Sequence, residues 1–148
     1  MVCENCEMLN KGEIILNTKY WQVALAPEQS YIGRCYVTLK RHAGDLADLS
    51  KDEILDFRNL VIKLENALKK AFNATMFNWA CLMNNTYQEK KPEPHVHWHF
   101  KPRYREKVKF AGIIFEDPEF GHYCSRERNI EISEEIKKKI AEEIRENL

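Results

Sequence analysis

Three histidines alternate with apolar residues in one short segment, His-Val-His-Trp-His-Phe at 95–100. Successive side chains of a β-strand point to opposite faces of the sheet. His95, His97 and His99 would therefore share one face, at about 7 Å from one to the next along the strand. The apolar residues between them would face a core. The alternation predicts a half-buried strand whose polar face carries three imidazoles.

Three interpretations of this histidine face are open. A polar strand that merely faces solvent is one, although histidine is uncommon and three on one face exceed what solvation needs. A transition-metal site is another, because imidazole is the commonest side-chain ligand of such ions, and Glu93 is the carboxylate close in sequence that could act as a base. Covalent catalysis is the third, with one imidazole as nucleophile and its neighbours as acid–base groups. Spacing alone does not decide among them.

The five cysteines include one close pair, Cys3 and Cys6, in a Cys-x-x-Cys arrangement. In a reducing compartment such a pair indicates metal binding or redox chemistry rather than a structural disulfide. Taken alone, the pair leaves redox chemistry, a metal and chance all open. The other cysteines are expected to be small hydrophobic or partly buried residues.

The elements that must position these residues follow from capping and hydrophobic periodicity. A capping box at Ser50 and Glu53, followed by apolar residues at helical spacing, predicts a long helix that ends at Asn73. Ser133 is expected to cap a C-terminal helix. Strands are predicted at 20–25, 34–39, 76–83, 95–100 and 107–115, with a polar loop at 84–94. This order predicts an α+β fold with a mainly antiparallel sheet.

The 148 residues include 23 basic and 23 acidic side chains, so the formal net charge is zero. This length predicts a single domain over 1–148. The balanced charge argues against general binding to nucleic-acid polymers or membrane surfaces, and it leaves room for a local phosphate site. The first residues show no apolar signal segment, and no apolar run approaches the roughly 18–20 residues of a membrane span. A cytoplasmic location is therefore expected.

The triad segment at 95–100, continuing into Pro102-Arg103, resembles the signature of the histidine triad (HIT) family. Other stretches resemble the Hint-like bacterial and archaeal branch of that family: Cys3-x-x-Cys6, the run from Gly33 to His42 with its Lys-x-His ending, and Asn84, which lies eleven residues before His95. The resemblance covers about residues 3–105 and implies a HIT-like fold. Residues 106–148 form a C-terminal extension of unclear role.

HIT proteins are nucleotide hydrolases and transferases that act at an α-phosphate, so the resemblance implies a small nucleotide substrate. Nucleoside phosphoramidates and dinucleoside polyphosphates are the two candidate classes. His97 would be the nucleophile that forms a nucleotidyl-histidine, which water then resolves. His99 would bind the phosphate and stabilise its charge or protonate the leaving group, and its presence favours hydrolysis over transfer. Asn84 would donate to the phosphate. The resemblance also implies a homodimer.

The resemblance further implies a structural zinc ion. In the branch that carries the cysteine pair, the cysteines join the Lys-x-His histidine and the first triad histidine, which here gives Cys3, Cys6, His42 and His95. A Cys₂His₂ set is closed and tetrahedral, as in structural rather than catalytic sites. It would tie the N-terminal segment to the triad strand and leave the other triad histidines for catalysis.

Several positions depart from the family pattern. Lys91 stands where the family usually has Gln, and it would meet the phosphate as a flexible point charge. Pro92 replaces a serine and so removes a hydroxyl and a backbone donor. The acidic residue that binds ribose hydroxyls falls near Ala26, and Gln29 or the C-terminal region is the candidate to substitute for it. Lys101 replaces the last apolar residue of the motif.

Two other functions and one surface feature remain open. A nucleotide-binding regulatory protein with little turnover would suit the altered loop before the triad. A metal-dependent hydrolase would use all three triad histidines. Beyond the triad, basic residues alternate, and on a strand they would form a basic face near the phosphate site or a solvated edge. These residues are Lys101, Arg103, Arg105, Lys107 and Lys109.

Overall fold

The computed structural model describes residues 3–124, 128 and 130–148. The helices in this part of the chain are α1 (Glu4–Met8), α2 (Lys51–Phe72) and α3 (Glu134–Glu146). The strands are β1 (Ile14–Asn17), β2 (Trp21–Leu25), β3 (Cys35–Leu39), β4 (Met76–Ala80), β5 (His97–Arg103), β6 (Val108–Phe110) and β7 (Ile113–Phe115). Short 3₁₀ turns lie at Leu46–Asp48 and Asn85–Gln88. Within these described ranges, no helix has the length and apolar character needed to cross a membrane.

The triad strand lies inside an antiparallel sheet of five strands, ordered β1-β2-β3-β5-β4. On one side of β5, Thr38 is opposite His97 and Tyr36 is opposite His99. On the other side, Ala80 is opposite His99. The strands β6 and β7 form a separate hairpin. Pairing on both sides fixes the backbone that carries the histidines, and the predicted α+β fold with a mainly antiparallel sheet is confirmed.

The apolar face of the sheet packs against α2. Phe57 of α2 stacks on Trp98 of β5 with ring centroids 4.9 Å apart, and it meets Trp21 of β2 at 5.2 Å. Because Trp98 alternates with the histidines, this contact turns the imidazoles to the opposite face. Ile140 and Ile144 of α3 are buried in the same cluster. The C-terminal extension therefore contributes to the core that supports the triad strand.

Several predicted boundaries are wrong. The strand expected at 95–100 begins two residues later, at His97, and the strand expected at 107–115 is a hairpin. Ala111 and Gly112 have φ values of 49° and 79°, which is the backbone of a tight two-residue turn between antiparallel strands. The short elements α1 and β1 were not predicted, because neither is long enough to show a hydrophobic period.

The basic residues beyond the triad do not form one exposed face. Arg103 is buried, and its guanidinium donates to both carboxylate oxygens of Asp117 at 2.6 and 2.9 Å. It also donates to the backbone carbonyls of Glu119 and His122 and to the side-chain oxygen of Asn78. A buried cation needs such a paired carboxylate. Arg103 thus anchors the segment at 117–122 to the sheet, and the predicted basic face is wrong at this position.

The buried carboxylate of Glu53 joins the start of α2 to the chain that follows β3. Its oxygens accept from the Arg41 guanidinium at 2.5 and 2.9 Å and from the backbone N–H of Ser50 at 2.7 Å. The Ser50 hydroxyl in turn accepts from the Glu53 N–H, which completes the predicted capping box. The hydrogen bond from Arg41, above all, lowers the pKa of Glu53 to about 2.

We expect Glu53→Gln to lower the free energy of unfolding by about 2 kcal/mol at neutral pH, because it removes the ion pair and weakens the cap. Asp52→Asn is the matched control, since Asp52 lies in the same helical turn but is exposed. It should change the free energy of unfolding by less than about 0.5 kcal/mol. Urea denaturation measures both. Equal losses in the two variants would contradict this role of Glu53.

The same carboxylate should give stability a defined pH dependence. Its pKa in the folded chain lies below the ordinary value of 4.5. The ionised group therefore stabilises the fold above about pH 4.5, and this stabilisation is lost as the pH falls toward 2. The difference in unfolding free energy between the parent and Glu53→Gln should shrink over this interval. A difference that stays constant on acidification would refute the assignment.

Candidate metal centre and catalytic face

Cys3, Cys6, His42 and His95 bring their ligand atoms within 4.8 Å of one another. Each of the two cysteine sulfurs lies 3.3 Å from Nδ1 of His95. The sulfur of Cys6 also lies 3.6 Å from Nδ1 of His42. Cys3 precedes α1 and Cys6 lies within it, and the histidines lie in the segments that follow β3 and precede β5. The fold thus gathers the residues that the family resemblance implied as ligands.

A backbone carbonyl determines which nitrogen of His95 faces the sulfurs. Nε2 lies 2.7 Å from the Leu39 carbonyl oxygen, and because that oxygen can only accept, Nε2 carries the proton. Nδ1 then presents its lone pair to the two thiols. Burial lowers the pKa of His95, which keeps the ring neutral. Ligand histidines in metal sites are oriented in this way by a carbonyl on the far nitrogen.

The donor set fits a tetrahedral ion of the zinc type. Bonds of about 2.3 Å to sulfur and about 2.0–2.1 Å to nitrogen place neighbouring ligand atoms about 3.3–3.8 Å apart. The three sulfur–nitrogen distances, 3.3, 3.3 and 3.6 Å, lie in this range. Burial and the neighbouring Cys3 raise the pKa of Cys6, a cost that a bound cation would remove. These residues could therefore hold zinc.

The reactive nitrogen of His97 is left free by the backbone of its neighbour. Nδ1 lies 2.8 Å from the His95 carbonyl oxygen, so Nδ1 carries the proton and Nε2 keeps its lone pair. In the described part of the chain, no hydrogen bond engages Nε2. The Asn5 amide of α1 lies 3.5 Å from Nδ1. His97 therefore presents a half-buried imidazole whose Nδ1 proton is fixed by a backbone carbonyl.

His99 lies next on the same face and is partly buried. Its ring centroid is 5.0 Å from that of His97 and 5.2 Å from that of Tyr36, which it meets edge-on. Burial, followed by the charges of His97 and Arg34, lowers the pKa of His99 to about 4. The imidazole is thus neutral at physiological pH, and it can exchange hydrogen bonds with a phosphate without adding a positive charge.

The triad histidines do not converge on one point. Both ring nitrogens of His95 are turned toward the cysteines and the Leu39 carbonyl, away from His97 and His99. Within the described residues, the one group of potential metal ligands is the cysteine–histidine cluster. A metal-dependent hydrolase that uses all three triad histidines therefore has no support in this geometry.

The predicted phosphate ligands Asn84 and Lys91 both lie exposed in the loop between β4 and β5. The Asn84 carbonyl accepts from the Tyr87 N–H at the start of a 3₁₀ turn. Among the residues that the structure describes, no hydrogen bond links either side chain to His97 or His99. Their roles toward a phosphate remain predictions.

Gln29 is not available to a ligand. Its amide nitrogen donates to the carbonyls of Ala26 and Arg34 at 2.7 and 2.9 Å, and its oxygen accepts from the Gly33 N–H at 2.9 Å. The side chain is fully buried and holds the turn that leads into β3. At Gly33, φ is 85° and an added Cβ would lie 2.3 Å from Leu68. The expectation that Gln29 takes over ribose binding is wrong.

Sequence reasoning missed Asn5 and Arg34, which lie beside the face that carries His97 and His99 (the candidate catalytic face). Arg34 pairs with Glu28 at 2.9 Å, and its guanidinium lies 5.8 Å from the centre of the Tyr36 ring. Its alternation with Tyr36 was visible in the sequence, but the register with β5 was not. The position of Asn5 depends on the placement of α1, for which no sequence signal was found.

Several solved structures of histidine triad proteins have the same fold. A HIT protein from Sinorhizobium meliloti aligns with a TM-score of 0.71 and 18% identity, covering 96% of this chain and 93% of that one. A zinc-bound histidine triad family protein from Mycobacterium smegmatis aligns at 0.62 and 16%, covering 98% and 91%. The Plasmodium falciparum diadenosine triphosphate hydrolase aligns at 0.62 and 20%, covering 93% and 77%.

Sequence comparison identifies the family more directly than these structural similarities at low identity. No curated protein matches the chain significantly. The HIT domain family model matches residues 9–106, which include the triad strand, α2 and most of the sheet. Because this match spans more than half of the chain, the protein belongs to the HIT domain family.

Proposed function

We propose that this protein is a nucleotide hydrolase that cleaves at a nucleoside α-phosphate through a covalent nucleotidyl-histidine on His97. Nucleoside phosphoramidates and dinucleoside polyphosphates are the candidate substrates. The observation that carries the proposal is the 2.8 Å hydrogen bond from His97 Nδ1 to the His95 carbonyl, which leaves Nε2 available as the nucleophile. The similar Plasmodium falciparum protein, a diadenosine triphosphate hydrolase, is consistent with this chemistry.

In the first step, the lone pair of His97 Nε2 forms a bond to the α-phosphorus. The bond from phosphorus to the leaving group breaks, and its electron pair departs with that group. The imidazole becomes cationic. Its Nδ1 proton stays on Nδ1 and donates to the His95 carbonyl oxygen, and this hydrogen bond strengthens as the ring gains charge. Water then attacks phosphorus, the electron pair of the phosphorus–nitrogen bond returns to Nε2, and the water proton passes to solvent.

The charge on the phosphoryl oxygens needs fixed donors. His99 is proposed to bind the phosphate beside His97, and its edge-on contact with Tyr36 and its lowered pKa support this role. Asn84 and Lys91 are proposed as further phosphate ligands from the loop that precedes β5. Their exposure is compatible with binding a ligand from solvent.

We also propose that Cys3, Cys6, His42 and His95 hold a structural zinc ion. The sulfur–nitrogen distances and the orientation of His95 support this, as does the zinc-bound relative from Mycobacterium smegmatis. The bound ion would supply cross-linking rather than catalysis, because its four protein ligands leave no open position. It would fasten α1 to the strand that carries His97.

The proposal extends to the assembly and location of the molecule. The family resemblance implies a homodimer, and the sequence predicts a cytoplasmic location. One domain over 1–148 is supported by the burial of Ile140 and Ile144 of α3 in the same core as β2, β3 and β5. The partner of the catalytic face would be a small nucleotide, not a nucleic-acid polymer or a membrane.

His97→Ala should reduce turnover of adenosine 5′-phosphoramidate and diadenosine polyphosphates by at least about 1,000-fold, because the covalent step is lost. Binding of AMP should change by less than about threefold. Steady-state assays and calorimetry measure the two effects. His122→Ala is the matched control, because His122 is an exposed histidine in a turn beyond the catalytic strand, and it should retain full turnover.

Equal rates for the parent and His97→Ala would refute the nucleophile. Turnover that a chelator abolishes, while His97→Ala leaves it intact, would favour metal-dependent hydrolysis. A parent that binds nucleotides at micromolar concentration without turning them over would instead identify a regulatory HIT protein.

Protein purified without added metal should contain about one zinc ion per chain, and Cys3→Ser or His42→Ala should lose most of it. Cys124→Ser removes a thiol outside the cluster and should keep the full content. Elemental analysis and the melting temperature provide readouts that do not depend on activity. A content below about 0.2 zinc per chain in the parent would disprove the site.

A further inference from the structure

Beyond His99, the polar face of the sheet carries two cations side by side, Arg34 and Lys101. In the register between β3 and β5, Tyr36 is opposite His99. The last pair of this register is Cys35 with Phe100. Arg34 precedes β3 and Lys101 follows Phe100, and because alternate residues share a face, both lie on the side of the sheet that carries Tyr36 and His99. Both positive charges act on His99, and two like charges near each other repel unless an anion lies between them.

Lys101 has no carboxylate partner among the described residues. Its ammonium lies 2.9 Å from the sulfur of Cys124 and 4.9 Å from the centre of the Tyr31 ring. The side chain is partly buried. A partly buried ammonium without a counter-charge is unfavourable, so an anion from outside the chain would stabilise it.

Only some of the guanidinium nitrogens of Arg34 have hydrogen-bond partners. One guanidinium nitrogen, Nη1, lies 2.9 Å from the Glu28 carboxylate. Its Nε atom is buried and, in the part of the chain that the structure describes, has no hydrogen-bond partner. The guanidinium lies 5.8 Å from the centre of the Tyr36 ring, which itself meets the edge of His99 at 5.2 Å. The Arg34 guanidinium therefore has an N–H donor without a partner among the described residues, and the Tyr36 ring lies between this guanidinium and His99.

The residues next to Lys101 and Arg34 differ from them in charge. Arg103, two residues beyond Lys101 on β5, has its charge balanced by both oxygens of Asp117. On the other side of Arg34, the residue that follows β2 is Ala26, whose N–H donates to the Arg34 carbonyl and whose side chain is an uncharged methyl group. Glu28 balances the charge of Arg34, but the described residues place no carboxylate on Lys101, so the two cations together keep a net positive charge that a ligand can meet.

We propose that Arg34 and Lys101 bind a second phosphate group of the nucleotide, adjacent to the α-phosphate at His97 and His99. This inference rests on the proposed function and specifies its substrate class as a nucleotide with at least two phosphate groups. The second phosphate belongs either to the phosphate chain, as in dinucleoside polyphosphates, or to the ribose. A simple nucleoside phosphoramidate carries no such group.

The chemistry of the two cations suits this ligand. Guanidinium and ammonium groups are the side chains that bind phosphate with charge-assisted hydrogen bonds. A charged leaving group would depart beside them without needing a proton from a neutral His99. After burial and His97, Arg34 contributes to lowering the pKa of His99, with a smaller effect of Lys101. The field of the pair therefore reaches the catalytic face.

Calorimetry with the His97→Ala protein, which lacks the proposed nucleophile, tests this inference. The ligands are AMP, ADP, adenosine 2′,5′-bisphosphate and adenosine 3′,5′-bisphosphate. At least one ligand with two phosphates should bind about 10–100-fold more tightly than AMP. Adding Lys101→Met or Arg34→Met should reduce that gain to less than about threefold. A preference for ADP assigns the second phosphate to the chain, and a preference for a bisphosphate assigns it to the ribose.

Lys109→Met is the matched control, since Lys109 is exposed on β6, and it should leave the ratio of affinities unchanged. Lys101→Arg keeps the positive charge and should retain the ratio of the two-phosphate affinity to the AMP affinity. A general loss of folded protein would not change this ratio. Equal affinity for AMP and every two-phosphate ligand would overturn the inference, as would a gain that survives both methionine substitutions.

Inorganic pyrophosphate separates the failure of this inference from the failure of the proposed function. If pyrophosphate binds the parent but not Lys101→Met, and no adenosine nucleotide is turned over, the phosphate site stands and the hydrolase function falls. If nucleotides are turned over and neither pyrophosphate nor the two-phosphate nucleotides need Lys101 or Arg34, the function stands and the second phosphate site is refuted.

Discussion

The placement of His95 is the constraint on which the rest of the site depends. Its Nε2 proton is held by the Leu39 carbonyl, so its Nδ1 faces two sulfurs, and its own carbonyl accepts the Nδ1 proton of His97. One residue therefore links the cysteine cluster to His97, the proposed nucleophile. A shift of the His95 backbone would move its Nδ1 away from the sulfurs. The same shift would break the hydrogen bond that fixes the tautomer of His97, so a change at one site would change the other.

Three identical side chains acquire different chemistry because each has a different neighbourhood. His95 is buried against sulfur and carbonyl oxygen, and burial favours its neutral form. His97 keeps a free nitrogen at the boundary with solvent. Tyr36 and the strands on either side shield His99 from solvent, and this burial lowers its pKa and favours the neutral imidazole. Alternation supplies the common face, while the elements packed around each position determine what its ring can do.

Much of the fold was predictable because its signals are local or periodic. The capping box of Ser50 and Glu53 and the apolar spacing of α2 both appear in the structure. The cysteine–histidine cluster was expected from family resemblance, and the four residues do lie together. The hairpin turn at Ala111 and Gly112 was missed because alanine rarely adopts a positive φ.

What could not be predicted depends on contacts between distant segments. The burial of Arg103 requires Asp117, which lies fourteen residues away and after a hairpin. The placement of Arg34 and Lys101 on one side of the sheet depends on the register of β3 and β5, which α2 and β4 separate in the sequence. Alternation alone treated Lys101 and Arg103 as members of one basic row, although tertiary contacts give them opposite roles.

The zero net charge of the chain conceals this division of roles. Arg103 and Asp117 neutralise each other inside the fold, and Glu53 with Arg41 does the same at the start of α2. Each pair adds no net charge, because its members are in direct contact; the members of the first pair are both buried, whereas Arg41 of the second is exposed. Lys101, by contrast, has an ammonium that no carboxylate among the described residues approaches, next to the face that carries the nucleophile. A neutral total is therefore compatible with strong local attraction for an anion, since paired charges cancel in place and an unpaired charge acts at short range.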